Sequence, residues 1–266
     1  MRQLAKIVER EAFYWGDSIR EGYFAAAEKY FDEDWTSIVR PFLEGFPINY
    51  AHTLDLACGR GRNSAALSPL AGRMTLVDVN PENIAACTER FRGRSGVTFV
   101  KNNGFDLRAV RTRSITFVYS FDSMVHFDLD IVIAYLREIS RVLSTNGYGF
   151  IHHSNYTAAP TVPFTANPHW RNFMSRELFA HLCVKAGLVV EAQKLMDWEV
   201  EPNLDCLTLF RKPAPPSKPP IAKRIWRRLP LPVRQNVAKI RGRVTRAAGR
   251  GMSEDALVRP VGRHCP

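Results

Sequence analysis

A short segment between an apolar strand and a helix has the residue types of a cofactor-binding turn. The segment is Asp55-Leu56-Ala57-Cys58-Gly59-Arg60-Gly61, and a helix is predicted to begin near Asn63. Glycine tolerates a positive φ and has no Cβ, so a ligand can approach the backbone closely there. The N–H groups that open a helix have no partner within it and point outward. The sequence therefore predicts a binding site for a polar cofactor beyond the carboxyl end of this strand.

Two acidic residues make this pattern more specific than a pair of glycines alone. Asp55 precedes the first glycine by four positions, and Asp78 ends the next apolar strand. Because the carboxyl ends of parallel strands lie at one edge of a sheet, both carboxylates are expected near the glycine turn. Each residue alone has a simpler explanation, a tight turn for the glycines and a helix cap for Asp78, but the combination favours a cofactor site.

Histidines follow the later strands at the same predicted edge. His126 lies after the fourth strand, and His152 and His153 end the fifth. The pKa of histidine suits general-base chemistry at neutral pH. We predict His126, His152, His153 and Asp122 as catalytic candidates. The alternative is packing in the core, and alternation along a strand places His152 and His153 on opposite faces.

A long loop from Pro160 to Trp170 follows the fifth strand and contains a further histidine, His169, at its end. A loop of this length within a domain is usually functional.

The elements that position these residues alternate between strand and helix, which predicts an α/β fold. Short apolar strands between helices indicate a parallel sheet covered on both faces. The last two strands have no helix between them and should form an antiparallel hairpin, which completes a Rossmann-like seven-stranded sheet. The predicted strands are 53–57, 73–78, 97–100, 114–120, 147–153, 188–196 and 204–211, and the predicted helices after residue 50 are 63–70, 81–92, 129–143 and 175–186.

Four regions are expected along the chain. Residues 1–50 are predicted to form a helical N-terminal cap, and residues 51–212 the main domain. A Pro-rich linker follows at 213–220, and residues 221–266 form a basic tail that is partly helical or disordered. The aromatic residues of the cap are explained either by packing or by a position across the mouth of the site.

The basic charge of the chain is confined to its tail. The formal net charge is +11, but residues 1–210 contain 22 Lys and Arg against 24 Asp and Glu, whereas residues 211–266 contain 15 against two. The whole-chain charge therefore says nothing about the site. For residues 221–248 we considered a solvated extension, contact with a membrane surface and binding of nucleic acid; nucleic acid is the least expected partner.

Composition restricts the class of protein further. No apolar run reaches the ~18–20 residues of a membrane span, and charges interrupt the N-terminus where a signal peptide would be apolar. The five cysteines are scattered and form no C-x-x-C pair, so neither a disulfide framework nor a zinc site is expected. We expect a cytoplasmic location, peripheral at the inner face of the membrane if the tail attaches there.

From residue 53 to about residue 211 the chain resembles the class I S-adenosylmethionine-dependent methyltransferases. The resemblance is to the small-molecule branch grouped as type 11/25 methyltransferase domains. It depends on the Asp55-to-Gly61 motif, on Val77-Asp78 at the end of the second strand, and on the reversed final strand pair.

The resemblance implies S-adenosylmethionine as cofactor and a role for each matching residue. Gly59 and Gly61, with Cys58 between strand and turn, would pass close to the methionine part, and Asp55 would orient its ammonium group, directly or through the turn. Asp78 would accept hydrogen bonds from the ribose hydroxyls. The family often has an acidic residue after the third strand for the adenine amino group; here Asn103 occupies that position, with Asp106 as an alternative. Ser120, which ends the fourth strand, completes the predicted cofactor set.

An NAD-binding Rossmann domain is the main alternative for the glycine turn. Its third glycine would fall at Ser64, and no second nucleotide-binding half follows. The segment Ser120–Phe127 also lacks the Pro-Pro run with which amino-directed nucleic-acid methyltransferases hold a planar base. These departures favour the methyltransferase interpretation.

The predicted function is S-adenosylmethionine-dependent methyl transfer to a small-molecule or sugar hydroxyl, in surface-glycan or secondary-metabolite biosynthesis. The alternatives are an RNA methyltransferase that uses the basic tail, and a non-catalytic scaffold that binds S-adenosylmethionine. The spacing gives no support for a metal site, and none is predicted.

Overall fold

Seven strands form one mixed sheet in the order β3-β2-β1-β4-β5-β7-β6. The structure is a computed structural model, and it describes residues 2–15 and 17–215. The predicted tail at 221–266, its proposed membrane contact at 221–248 and most of the linker lie outside the described residues. None of the described helices is long and apolar enough to span a membrane.

The strands occupy nearly the positions that periodicity predicts. They are β1 His52–Leu56, β2 Arg73–Asp78, β3 Val97–Lys101, β4 Ile115–Ser120, β5 Leu143–Ser154, β6 Val189–Trp198 and β7 Glu201–Arg211. Strands β1 to β5 pair in parallel, and β7 runs antiparallel between β5 and β6. The α/β fold with a final reversed hairpin is therefore confirmed.

The helices lie on both faces of the sheet. They are α1 Arg2–Phe13, α2 Asp17–Asp34, α3 Arg40–Leu43, α4 Arg62–Leu67, α5 Pro81–Arg90, α6 Leu129–Val142 and α7 Arg176–Lys185. A π-helical turn, Trp35–Val39, joins α2 to α3. Local chemistry sets several ends: Pro81 opens α5, the Asp128 side chain caps α6, and Gly187 follows α7 at φ 79°.

Alternate residues of the strands pack into two apolar layers, one on each face of the sheet. Leu54 and Leu56 of β1 pack with α6 and α7 on one face, together with Val118 and Ile139. The other face buries Leu76, Phe117 and Tyr119 against α3, α4 and α5. Because both faces are filled, polar side chains can gather only at the edges of the sheet, and the carboxyl edge of β1, β2 and β4 is where the site lies.

Strand β5 differs from the prediction. It begins at Leu143 directly after α6, rather than near residue 147. Asn146 and Gly147 suggest a turn, and Asn146 does have a positive φ of 62°. Its N–H nevertheless donates to the Lys212 carbonyl, so pairing beside β7 keeps the segment in the sheet.

Candidate active site

The glycine turn connects β1 to α4 in a left-handed backbone conformation. Gly61, at φ 83°, precedes the first residue of α4, and Gly59 has φ 53°. A Cβ on Gly61 would lie 3.1 Å from both the Cys87 sulfur and the Phe91 ring. Ala57 also has a positive φ, 56°, where glycine is favoured, and no pattern in the sequence indicates this strain.

Asp78 is connected directly to the turn. Its Oδ2 accepts a hydrogen bond from the Gly59 N–H at 2.9 Å, and its Oδ1 accepts from the Asn80 N–H at 2.9 Å and from Asn83 Nδ2 at 3.1 Å. Burial raises the pKa of this carboxyl, and these hydrogen bonds oppose the rise. A carboxylate has about four acceptor sites, so Oδ2 retains capacity for a further donor.

The Asp55 side chain makes a structural hydrogen bond inside the protein. It is buried, and its Oδ2 accepts from the Ser64 hydroxyl at 2.5 Å, which ties β1 to α4. Burial raises the pKa of Asp55 to about 7. Ser64 occupies the position of the third glycine in a dinucleotide-binding motif. Its hydrogen bond to Asp55 explains why a serine lies there instead of a glycine.

A first cavity, here named the turn cavity, lies beside the glycine turn. Cys58, Gly59, Asp78, Asp122 and His126 are among its lining residues. Helix α1 and the residues after it cover one side with Val8, Glu11 and Trp15. The N-terminal helices therefore lie across the mouth, as one of the two explanations for their aromatic residues requires.

The loop after β3 contributes different residues from those predicted. Asn103 Oδ1 accepts from the N–H groups of Phe105 and Asp106, and its Nδ2 donates to Asp106 Oδ2 at 2.7 Å. Its side chain is thus used to close the loop. Asn102 and Gly104, on either side of it, line the turn cavity instead. Ser120 is fully buried, lines neither cavity, and its Oγ has no hydrogen-bond partner among the described residues.

A second cavity of about 340 Å³, here named the aromatic cavity, adjoins the first. The two share Trp15, Arg62, Asp122 and His126. The remaining walls of the aromatic cavity combine aromatic and charged side chains: Tyr30, Asp34, His169, Trp170, Arg171, Trp198 and Glu199.

His126 stands where the two cavities meet. Its Nδ1 lies 2.8 Å from the Trp170 carbonyl oxygen, so Nδ1 is the donor and Nε2 carries the lone pair. Nε2 is buried and has no hydrogen-bond partner among residues 2–15 and 17–215. Burial, assisted by the charge of Arg171, lowers the pKa of His126 to about 3. The imidazole is therefore neutral at physiological pH and can accept a proton at Nε2.

Asp122 is the second predicted catalytic residue that lines the cavities. Its backbone is left-handed, with φ 55°, and its carboxylate pairs with Arg62 at 2.8 Å. Its N–H donates to His152 Nδ1 at 3.1 Å, which places the proton of His152 on Nε2, 3.1 Å from Asp205 Oδ2. His152 is thus fully buried behind Asp122 and orients that segment; the catalytic role predicted for it is not supported.

His153 points to the opposite face of the sheet. Its ring stacks on Phe179 at a centroid distance of 3.8 Å. One ring nitrogen lies 2.8 Å from the Ser154 carbonyl and the other 2.8 Å from the Thr208 hydroxyl. Both nitrogens are used and neither cavity contains the residue, so we assign His153 a structural role in place of the predicted catalytic one.

A buried ion pair that the sequence reasoning missed supports the aromatic cavity. Arg171 contacts Asp205 through Nε at 2.9 Å and through a terminal nitrogen at 2.5 Å. Burial alone would raise the pKa of Asp205, but His152 and Arg171 hold it well below its usual range. A lone aspartate within the apolar strand β7 was the available signal, because such a carboxylate needs a buried partner.

Among the described residues, no group of three or more His, Cys, Asp or Glu side chains is arranged to hold a metal ion.

Comparisons with known proteins agree with this geometry. Residues 53–147 match the sequence model of a family described as a methyltransferase domain. A comparison with curated protein sequences finds no match.

Several solved structures share the fold. One chain of a Haloferax volcanii complex that contains the Trm112 methyltransferase activator is 18% identical, with a TM-score of 0.58 over 75% of this chain and 98% of that one. A protein from Pyrococcus horikoshii OT3 is 21% identical, with a TM-score of 0.55 over 69% and 91%. Geranyl diphosphate C-methyltransferase from Streptomyces coelicolor A3(2), crystallised with S-adenosyl-L-homocysteine, is 15% identical, with a TM-score of 0.54 over 65% and 74%. The chain therefore contains a methyltransferase domain at residues 53–147, and its fold is the one that these solved structures share.

Proposed function

We propose that this enzyme methylates a hydroxyl group of a small polar acceptor, such as a sugar, bound in the aromatic cavity. The observation that supports this best is the buried Nε2 of His126, which carries a lone pair at the junction of the two cavities. A hydroxyl nucleophile has to lose its proton during methyl transfer, whereas an amine or carboxylate needs no base to attack. A proton acceptor fixed at this point therefore favours a hydroxyl.

The residues of the turn cavity fit S-adenosylmethionine. The buried carboxylate of Asp78 keeps an acceptor site on Oδ2 for a ribose hydroxyl. Gly59 lines the cavity, and the absence of a Cβ there lets the backbone of the turn approach the methionine part. Gly61 and Asp55 do not line it: Gly61 leaves room for Cys87 and Phe91, and Asp55 acts on the methionine part through the turn. Apolar side chains of Val79 and Ile131 line the same cavity and suit the adenine ring. When bound, this cofactor supplies a methyl group on a positively charged sulfur.

His126 accepts the proton of the hydroxyl in this proposal. Its pKa is low, but the acidity of the hydroxyl increases steeply as its oxygen forms the new bond, so a weak base in a water-poor site is sufficient. Trp170 fixes the tautomer, and Trp15 packs on the imidazole with ring centroids 4.3 Å apart. Positioning and exclusion of water then supply much of the rate.

The walls of the aromatic cavity support a polar, ring-shaped acceptor. Trp15, Trp170 and Trp198 offer flat apolar surfaces, and charged groups lie between them. A sugar presents the matching combination, with apolar C–H groups on its faces and hydroxyls around its edge.

The test is the atom that receives the methyl group. The full-length protein would be incubated with S-adenosylmethionine carrying a labelled methyl group and with a panel of free and nucleotide-linked sugars, cyclitols and unmodified RNA. We expect label in a small acceptor, with its methyl on oxygen. Label only in RNA, or release of no S-adenosylhomocysteine with any acceptor, would contradict the proposal.

A further inference from the structure

We propose that the acceptor carries a positively charged amino group in addition to the hydroxyl that is methylated, and that Asp34 binds this group. The inference rests on the proposed function and narrows its substrate class to hydroxylated amines such as amino sugars and aminocyclitols.

The charges of the aromatic cavity are the first reason. Two guanidinium groups line it, and each already has a carboxylate partner: Arg62 pairs with Asp122, and Arg171 pairs with Asp205. Asp34 and Glu199 are two further carboxylates in the wall. His126 is neutral, so the described lining residues have an excess of negative charge.

Among the described residues, the Asp34 carboxylate has no hydrogen-bond or ion-pair partner, whereas the carboxylate of Glu199 approaches a histidine. Glu199 lies at the rim, with 69% of its side chain exposed, and approaches His169 at 3.8 Å. Asp34 is half-buried, and among the described residues no cation or hydrogen-bond donor contacts its carboxylate. Burial and the nearby Asp122 raise its pKa to about 6, against smaller opposing effects of Arg62 and His152. A bound ammonium group would replace the solvation that this carboxylate has lost.

An aromatic ring next to Asp34 suits the same ligand. Tyr30 lies one turn earlier on α2, so both side chains occupy one face of the helix, and both line the cavity. An aromatic face beside a carboxylate attracts an ammonium group through the ring quadrupole. Lys29 Nζ already lies 5.1 Å from the centroid of this ring, and Arg171 lies 4.7 Å from the centroid of Trp198. Both rings therefore already have a cation of the protein nearby, so the carboxylate of Asp34 is the group that distinguishes this part of the cavity as an ammonium site.

The buried Nε2 of His126 defines the other end of the acceptor. It belongs to the same cavity wall as Asp34, lies in a side chain that is only 5% exposed, and is unpartnered among the described residues. A ligand with a hydroxyl at His126 and an ammonium group at Asp34 would satisfy both.

Matched acceptors test the inference with the full-length protein. We would compare amino sugars and aminocyclitols with their N-acetyl derivatives and with the neutral parent compounds, measuring initial rates of S-adenosylhomocysteine release. The amine should exceed both relatives in kcat/KM by at least about tenfold. The Asp34→Asn variant should bring this ratio close to one, mainly through the KM of the amine. The matched control is Asp32→Asn, on the exposed surface of the same helix, which should preserve the ratio.

Four outcomes overturn the inference, and the first two leave the proposed function intact. Neutral compounds that react as well as the amines, or an unchanged ratio in Asp34→Asn, would contradict the amine-binding role and leave hydroxyl methylation intact. A methyl group on nitrogen would contradict both, because the amine would then be the nucleophile. Transfer to none of the acceptors would contradict the proposed function and the inference with it.

Discussion

The carbonyl oxygen of Trp170 lies 2.8 Å from Nδ1 of His126 and thereby determines which nitrogen of that imidazole can accept a proton. The contact depends on an unusual loop, because His169 and Trp170 have consecutive positive φ values of 46° and 56°. Left-handed backbone at non-glycine residues costs on the order of 1–3 kcal/mol per residue. The fold tolerates this strain at the point where the long loop after β5 reaches the two cavities.

Two glycine-to-alanine variants separate the cost of backbone strain in the glycine turn from the cost of a Cβ that contacts neighbouring side chains. Gly61→Ala should lower the free energy of unfolding by more than Gly93→Ala, and it should also weaken binding of S-adenosylmethionine. Both glycines have φ near 80°, but a Cβ on Gly93 meets nothing within 4 Å, whereas one on Gly61 meets Cys87 and Phe91. The strain alone costs about 1–2 kcal/mol. Urea denaturation and calorimetry measure the two effects, and equal losses in the two variants would show that the close packing is unimportant.

Asp78 should determine affinity for the cofactor. Asp78→Ala removes the acceptor proposed for the ribose and frees the Gly59 N–H, so we expect the Kd for S-adenosylmethionine to rise by at least about 100-fold, corresponding to two charge-assisted hydrogen bonds. Glu82→Gln, on the exposed side of α5, is the control and should bind normally. Isothermal titration calorimetry with both variants decides the matter; an unchanged Kd in Asp78→Ala would refute the assignment.

The buried pair Arg171 and Asp205 should contribute strongly to stability. Arg171→Met leaves the Asp205 carboxylate buried without its guanidinium partner, and we expect a loss of about 3–5 kcal/mol at pH 7. Because the pKa of Asp205 is lowered by folding, its contribution is present above the unfolded pKa of about 3.9 and is lost as the pH falls below it. The difference between variant and wild type should therefore shrink at pH 3.

Arg211→Met supplies the comparison for this experiment, since Arg211 pairs with Glu191 at a partly exposed position of the same sheet. Its cost should stay below about 1 kcal/mol. If denaturation at pH 7 gives the two arginine variants the same stability, the buried pair is not a major structural element.

The pH dependence of turnover should distinguish Asp34 from His126. With an amine acceptor, kcat/KM should fall as the pH decreases through about 6, because Asp34 becomes protonated and loses its attraction for the ammonium group. His126 stays neutral over this range, since its pKa is about 3. The other charged or titratable groups around Asp34 are Tyr30, Glu33, Arg62, Asp122, His152, His169, Arg171 and Glu199. In Asp34→Asn this decrease in kcat/KM at acidic pH should disappear. A decrease that persists in the variant would have to come from one of the other groups around Asp34.

The sequence was sufficient to predict the sheet and the position of the glycine turn, because both depend on local signals. Periods of two and 3.6 residues determine the elements, and Gly59, Gly61 and Asp78 lie next to strand ends whose position the pattern predicts. The choice between Asn102 and Asn103 was beyond this reasoning, because adjacent side chains of one loop point in different directions. Likewise, alternation placed His152 and His153 on opposite faces without indicating that a buried aspartate and a hydroxyl would use their nitrogens.

The aromatic cavity was not predictable from sequence patterns. Its residues come from the segment between α1 and α2, from α2, from the start of α4, from the segment after β4, from the long loop and from the β6–β7 hairpin. No spacing along the chain links Asp34 to Arg171 or Trp198; tertiary packing alone brings them together. The signals that were present, a lone charge in an apolar strand and a long loop that ends with His169 and Trp170, indicate that a site exists but not which groups face it.

The most direct test of the central claim is the rate of a single turnover in His126→Asn. Asparagine retains a donor toward the Trp170 carbonyl but has no basic nitrogen at the position of Nε2. With an active hydroxyl acceptor and saturating S-adenosylmethionine, we predict a decrease in the methyl-transfer rate of about 100-fold or more relative to wild type. His181→Asn, an exposed position on α7, should react at the normal rate. A His126→Asn variant that transfers methyl as fast as wild type would contradict the account.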